Sequence, residues 1–215
     1  MLLVLTVVTG LVDAVSYLAL GHVFVANMTG NVVFLGFALA GAAGFSVTAS
    51  LAALGAFLAG AFAGGRLSER LPGHRGRLLV VSAVVQAVLL AVATAVAALA
   101  GHTAEPVRYV LTGLLGLAMG WQNAVVRSLK VPDLTTTVLT MALTGLAADR
   151  AGPRRLASAG WMFAGAFLGA ALVLNADVPT ALALALALVV AVAAVTGRAS
   201  SGHPAPAWTG PDGVS

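Results

Sequence analysis

Apolar positions fall into eight blocks with short polar breaks between them: residues 2–20, 30–45, 46–65, 78–100, 107–126, 135–148, 156–175 and 178–197. Six of these have close to the 20 residues that an α-helix needs to cross the hydrocarbon of a bilayer. The block 30–45 is near 16 residues and 135–148 near 14, lengths that suit re-entrant or partial segments. Stretches such as 32–65 and 78–101 hold no ionisable residue, whereas a soluble domain needs a charged surface. The pattern predicts an all-α fold. It is a polytopic membrane helical bundle of six transmembrane helices with two short re-entrant or broken helices, in one transmembrane domain over 1–197. The tail 198–215 is rich in Pro, Gly and Ser and is expected to be disordered.

The first block has the hydropathy of a secretory signal peptide. It lacks a positive leading region, carries Asp13 in its middle and has no small-x-small cleavage site, so it is predicted to stay as a helix. Its abrupt apolar opening suggests a start set a few residues late.

The two halves of the chain resemble each other at a shift of about 105 to 110 residues. Gly10-Leu-Val-Asp13-Ala14-Val15 lines up with Gly120-Trp-Gln-Asn123-Ala124-Val125. Ala26-Asn-Met-Thr29-Gly-Asn-Val32 lines up with Pro132-Asp-Leu-Thr135-Thr-Thr-Val138, and Ala59-Gly-Ala-Phe62 recurs as Ala164-Gly-Ala-Phe167. Repeat 1 covers about 1–101 and repeat 2 about 107–197. Loop charge tells how the repeats are oriented, because Lys and Arg collect in cytoplasmic loops. With eight crossings the eleven basic residues divide six to five between the sides. With the two short blocks returning to their own side, all fall together except Arg108. That distribution predicts six crossings, an inverted 3+3 repeat and both termini in the cytoplasm.

Composition agrees: 60% of residues are hydrophobic, 8% are charged, and mean hydropathy is +1.02. The net charge of +4 comes from short loops without interleaved aromatics, which argues against nucleic acid as a partner. With no cysteine and four histidines lacking ligand spacing, no metal or cofactor is expected. No phosphate loop, nucleophile elbow or paired carboxylate is present, so no enzyme is predicted.

Asp13 is the one acidic residue inside a hydrophobic block. A carboxylate at the centre of a membrane helix costs about 2.5–3.5 kcal/mol on insertion scales, so it should face the protein interior. Helical spacing puts Thr6, Thr9, Ser16 and Tyr17 on its side, and the matching stripe of the second half carries Gln122 and Asn123. Two readings stand: a proton- or cation-coupling carboxylate at a substrate site, or an interhelical hydrogen bond that fixes the bundle. The second constellation precedes each short block. Asn27, Thr29 and Asn31 in one half, and Thr135 and Thr137 in the other, are residue types that cap helix starts. A half-helix beginning inside the membrane aims its amides and positive dipole end at the interior, the way transporters with broken helices hold ligands. The patterns Ala56-xxx-Gly60-xxx-Gly64 and Gly165-xxx-Gly169 predict close helix packing.

The run Gly10-Leu-Val-Asp13-Ala-Val-Ser16-Tyr-Leu, followed by Gly21-His-Val-Phe24-Val-Ala-Asn27-Met-Thr29-Gly30-Asn31, resembles the signature of the YoaK family of bacterial membrane proteins. The resemblance extends over nearly the whole chain apart from the tail. It implies an integral inner-membrane protein and carries over no catalytic residue. The expected function is a small secondary transporter or carrier for a small polar or anionic solute, with the lipid bilayer as its surroundings. The alternative is a non-transporting scaffold or accessory protein. A homo-oligomer is left open.

Overall fold

The computed structural model describes residues 2–70, 75–129 and 153–201. The block 135–148, with Thr135 and Thr137, lies outside the described residues, as does the tail beyond Ser201. Among the described residues there are seven helices and no strand: α1 Leu2–Ala19, α2 Met28–Leu39, α3 Val47–Arg70, α4 Arg75–Ala100, α5 Glu105–Ser128, α6 Pro153–Asn175 and α7 Val178–Ser201. All but α2 are long and apolar enough to span a membrane. Lipid offers the backbone no hydrogen-bond partner, so an apolar stretch placed there must satisfy its own amides and carbonyls as a helix.

The spans overrun the apolar blocks where nothing stops them. α3 continues to Arg70, five residues past the apolar boundary at 65. The 26 residues of α4 measure about 39 Å at 1.5 Å each, longer than a hydrocarbon core of about 30 Å. Stops are local and identifiable. Gly101 ends α4 with φ +74, a left-handed turn that glycine adopts at no steric cost. Pro106 sits in the first turn of α5, where its missing N–H costs nothing. Asp177 precedes α7, and hydrogen bonds from Thr180, through its side chain and through its amide at 2.7 Å, hold the Asp177 carboxyl below the usual carboxylate range.

The core lies among α1, α4, α5 and α7, built from side chains such as Leu11, Leu90, Leu115 and Leu182. α6 packs along α1, α3 along α5, and α2 along α3. Large apolar side chains also point outward: Phe62, Phe163, Phe167 and Leu174 are each at least 65% exposed. On a soluble protein such a surface would be a liability, while on a bundle surrounded by lipid it is the solvated face.

The flanking helices approach through glycine. Gly165 of α6 lies against the Val7 carbonyl, and Gly169 against Leu11 and Ala14. In the other pair, Gly60 of α3 lies against the Leu117 carbonyl, and Gly64 against Trp121 and Ala124. Seen from the partner helices, Gly10 meets Met162 and Ala166, and Gly120 meets Phe57 and Ala61. In both pairs the contacts advance together along the two chains, so α6 runs parallel to α1 and α3 parallel to α5.

Helix ends fix the path of the short segment. Leu20 and Gly21 at the end of α1 share a cavity of about 90 Å³ with Ser46 and Ala49 at the start of α3 and with Glu105, Arg108 and Tyr109 at the start of α5. The Thr48 and Tyr109 hydroxyls meet there at 2.7 Å. The end of α1 and the starts of α3 and α5 therefore occupy one end of the bundle, and α1 is antiparallel to both. Residues 21–46, α2 included, leave this end and return to it.

Candidate functional site

The chain reverses just after α1. Gly21 at φ +103 and His22 at φ +59 take left-handed backbone that a helix cannot use, and residues 23–27 run back down along α1. Their amides are cut off from a helical ladder and need acceptors inside an apolar bundle. Asp13 supplies them. Its Oδ1 accepts the Val25 N–H at 2.9 Å and the Ala26 N–H at 2.8 Å. Hydrogen bonds to a charged acceptor are worth about 1.5–3 kcal/mol each. Two of them match or exceed the insertion cost of about 2.5–3.5 kcal/mol for the carboxylate.

Asn31, fully buried in α2, clamps the same segment. Its Oδ1 accepts the Phe24 amide at 2.8 Å and its Nδ2 donates to the Phe24 carbonyl at 2.6 Å. The segment is thus gripped from α1 through Asp13 and from α2 through Asn31. Aromatic rings close over it: Tyr17 stacks on Phe24 with centroids 5.1 Å apart, and Phe34 contacts Phe24, Tyr17 and Phe45.

Asp13 as a whole is 4% exposed, yet its Oδ2 has no hydrogen-bond partner among the described residues. One oxygen therefore holds backbone and the other has no hydrogen-bond partner among those residues.

One turn nearer the start of α1 a second polar layer begins. Gln122 of α5 donates through Nε2 to the Thr9 hydroxyl at 3.0 Å and accepts at Oε1 from Gln86 Nε2 of α4. The Thr9 hydroxyl in turn donates to the Leu5 carbonyl at 2.9 Å. A further turn along α4 and nearer that end, Trp121 Nε1 donates to the Ser82 hydroxyl at 3.1 Å. Three helices are joined by side chains whose donors would otherwise face hydrocarbon.

The expected site residues are therefore distributed unevenly. Asp13 and Asn31 converge on residues 24–26. Ser16 donates to the Asp13 backbone carbonyl at 3.0 Å, and Tyr17 belongs to the aromatic cover. Asn27 occupies the N-cap of α2 but its side chain makes no capping bond, and Thr29 is exposed in the first turn of that helix. Gln122 joins the second layer, and Asn123 donates to the Met119 carbonyl of its own helix at 2.9 Å. The backbone partners of Asp13 are not signalled by residue type, because every residue carries an amide. The nearest signal is Gly21-His22, a reversal followed by five residues, 23–27, before a helix starts. No group of three or more His, Cys, Asp or Glu able to hold a metal occurs among the described residues.

Known proteins agree with this architecture. A family model described as a protein of unknown function, DUF1275, matches residues 1–195. The UPF0700 transmembrane protein YoaK of Bacillus subtilis (strain 168) is 34% identical over 154 residues, covering 71% of this chain and 67% of that protein. No solved structure matches. With six apolar spans and a family match along nearly all its length, the chain belongs to the DUF1275 family and is a multi-pass membrane protein.

Proposed function

We propose that the protein is a small secondary transporter or carrier of the inner or plasma membrane, moving a small polar solute, with Asp13 as its proton- or cation-coupling group. The observation that carries this reading is the Asp13 carboxylate. It is buried midway along a membrane helix, it holds a segment that returns to its own side, and one of its oxygens is unused. An intramembrane carboxylate is costly to keep and marks ion and proton pathways. Transporters form their substrate and coupling-ion sites at broken helices near the bilayer midplane. Because Asp13 itself brings negative charge to the open end of α2, a neutral or cationic solute fits that end better than an anion.

The rest of the architecture supports the same reading. Each contact of Gly60, Gly64 and Gly120 recurs, at shifts of 105 on α3 and α6 and 110 on α1 and α5, as a contact of Gly165, Gly169 and Gly10. With α1 antiparallel to α5, such a recurrence fits an inverted repeat, in which one half rocks against the other. Loop charge puts the end of the bundle that holds Arg66, Arg70, Arg77 and Arg127, together with both termini, in the cytoplasm. The absence of a catalytic set from the sequence leads us to read the protein as a non-enzyme.

The test is proton movement into proteoliposomes that hold a trapped pH-sensitive dye, challenged with fractionated pools of small polar metabolites. A pool that drives proton flux through wild type and not through Asp13→Asn is the expected outcome. Flux that persists unchanged in Asp13→Asn would remove the coupling role. A second reading, a non-transporting scaffold or accessory protein, is favoured by one observation: Asp13 is buried and the bonds to its Oδ1 both come from the chain's own amides. Silence of every pool, with a correctly folded wild type, would favour it.

A further inference from the structure

Resting on the coupling role read for Asp13, we propose that this carboxylate is a proton site that excludes metal cations, and that its occupancy is read out by residues 23–27. The donor set decides the first part. Hard cations such as sodium or calcium need several oxygen ligands around one point. Here Oδ1 is already met by the Val25 and Ala26 N–H groups, whose positive ends face the place a cation would take. The neighbouring Ser16 hydroxyl is turned to the Asp13 backbone carbonyl, and Asp13 belongs to no group of three or more His, Cys, Asp or Glu able to hold a metal among the described residues. A proton needs a single lone pair, which Oδ2 offers.

The second part follows from what a proton does to the bonds on the other oxygen. With the carboxylate ionised, both amides are held by charge-assisted hydrogen bonds, roughly twice as strong as neutral ones. A proton added to Oδ2 leaves Oδ1 as an ordinary carbonyl oxygen. No redox step or leaving group is involved, and the only change is one proton gained by the carboxylate. The segment then stays tied mainly through Asn31 and Phe24, and its hold on α1 weakens.

Other charged groups stand away from this switch. On α1 the only other titratable side chain is Tyr17, one turn on, and His22 lies beyond the helix end. The α2 helix has none. On α5, Glu105, Arg108 and Tyr109 occupy the first five positions and Arg127 the last turn. Between Ala157 and Asn175 α6 has none, and Arg198 stands in the last turn of α7. A change in the Asp13 bonds with pH is therefore a property of Asp13.

The experiment needs no solute, so it can fail while transport stands, and it can succeed in a protein that transports nothing. The full chain in lipid nanodiscs is titrated by infrared difference spectroscopy in sodium and in choline buffers. Hydrogen–deuterium exchange of the peptide spanning residues 21–27 is followed in parallel and corrected for the intrinsic pH dependence of exchange. The expected result is a protonated-carboxyl band present in wild type, missing from Asp13→Asn and unmoved by sodium. Exchange of the 21–27 peptide should rise roughly tenfold as the band appears. In Asp13→Asn, exchange is expected to be fast at every pH, and in Asp13→Glu it should again depend on pH. Should Asp13→Asn not fold, wild type and Asp13→Glu carry the same comparison. Suppression of the band by sodium would overturn the proton assignment, and exchange that ignores the band would overturn the readout.

Discussion

Gly165 and Val7 touch backbone to backbone: the glycine of α6 lies directly against the Val7 carbonyl of α1, as Gly60 of α3 lies against that of Leu117 on α5. A Cβ added at either glycine would overlap main-chain atoms on the facing helix, and main chain cannot swing aside as a side chain can. We expect Gly60→Ala and Gly165→Ala each to cost about 1–3 kcal/mol, the usual range for overpacking, and to cost similar amounts. Gly55→Ala, with open space at its Cβ, should be neutral or slightly stabilising through helix propensity. Unfolding midpoints in mixed micelles read all three. Equal stability of Gly165→Ala and wild type would show that the two helices do not approach so closely.

At Asp13 the chemistry of the replacement should set the size of the loss. Asp13→Ala strands two buried amides, each costing about 1–3 kcal/mol when left unsatisfied, so the variant is expected to lose roughly 2–6 kcal/mol or to fail to insert. Asp13→Asn keeps an acceptor without the charge and should lose less. Asn31→Asp leaves Oδ1-type acceptors for the Phe24 amide but removes the donor to the Phe24 carbonyl, bringing two oxygens together. It is expected to be worse than Asn31→Gln. Stability in that order, measured by the same micelle unfolding, would support the two-sided grip on residues 24–26; Asp13→Ala at wild-type stability would refute it.

Gln86, Gln122 and Thr9 form one chain across α4, α5 and α1, so their substitutions should not add. Interhelical hydrogen bonds in membranes contribute about 0.6 kcal/mol on average and about 1.7 at most. Gln86→Leu and Gln122→Leu alone each leave a polar partner facing an apolar group. The double substitution removes the donor and acceptor of that bond together and is expected to cost less than the sum of the two singles. Additive losses would mean that the two glutamines act independently.

The six spans were legible because lipid imposes one requirement, a run of about 20 apolar residues, that composition displays directly. The same rule marked 30–45 as too short to span. Its helix nevertheless begins and ends earlier, at Met28–Leu39, because Gly41 and Gly44 at φ +85 turn the chain where apolar residues continue. Asp13 could be read as interior-facing, since exposure to lipid is costly. What it touches could not, because its partners are amides of Val25 and Ala26, residues whose side chains say nothing of hydrogen bonding. Asn27 shows the converse limit: a residue type suited to capping holds the N-cap position, while a carboxylate from another helix takes the nearby amides. Thr135 and Thr137 lie outside the described residues.

The path of residues 21–46 makes a prediction about sidedness. The end of α1 and the starts of α3 and α5 share one cavity, so the exposed turn at residues 40–44 and the connection at 101–104 lie at one end of the bundle. In the orientation proposed from loop charge, that end faces the non-cytoplasmic side. The natural chain has no cysteine, so single introduced thiols report without background. Gly41 is a poor choice because its φ of +85 disfavours a side chain, whereas Ala42 and Thr103 are exposed and lack that strain. Ala42→Cys and Thr103→Cys are expected to react with an impermeant maleimide added to intact cells. Ser128→Cys, near the opposite end of α5, should react only after the membrane is opened. If Ala42→Cys and Thr103→Cys reacted from opposite sides, the segment would cross the membrane and α2 would be part of a seventh span. If both reacted only from the cytoplasm, the returning path would stand and the orientation drawn from Arg66, Arg70, Arg77 and Arg127 would be reversed.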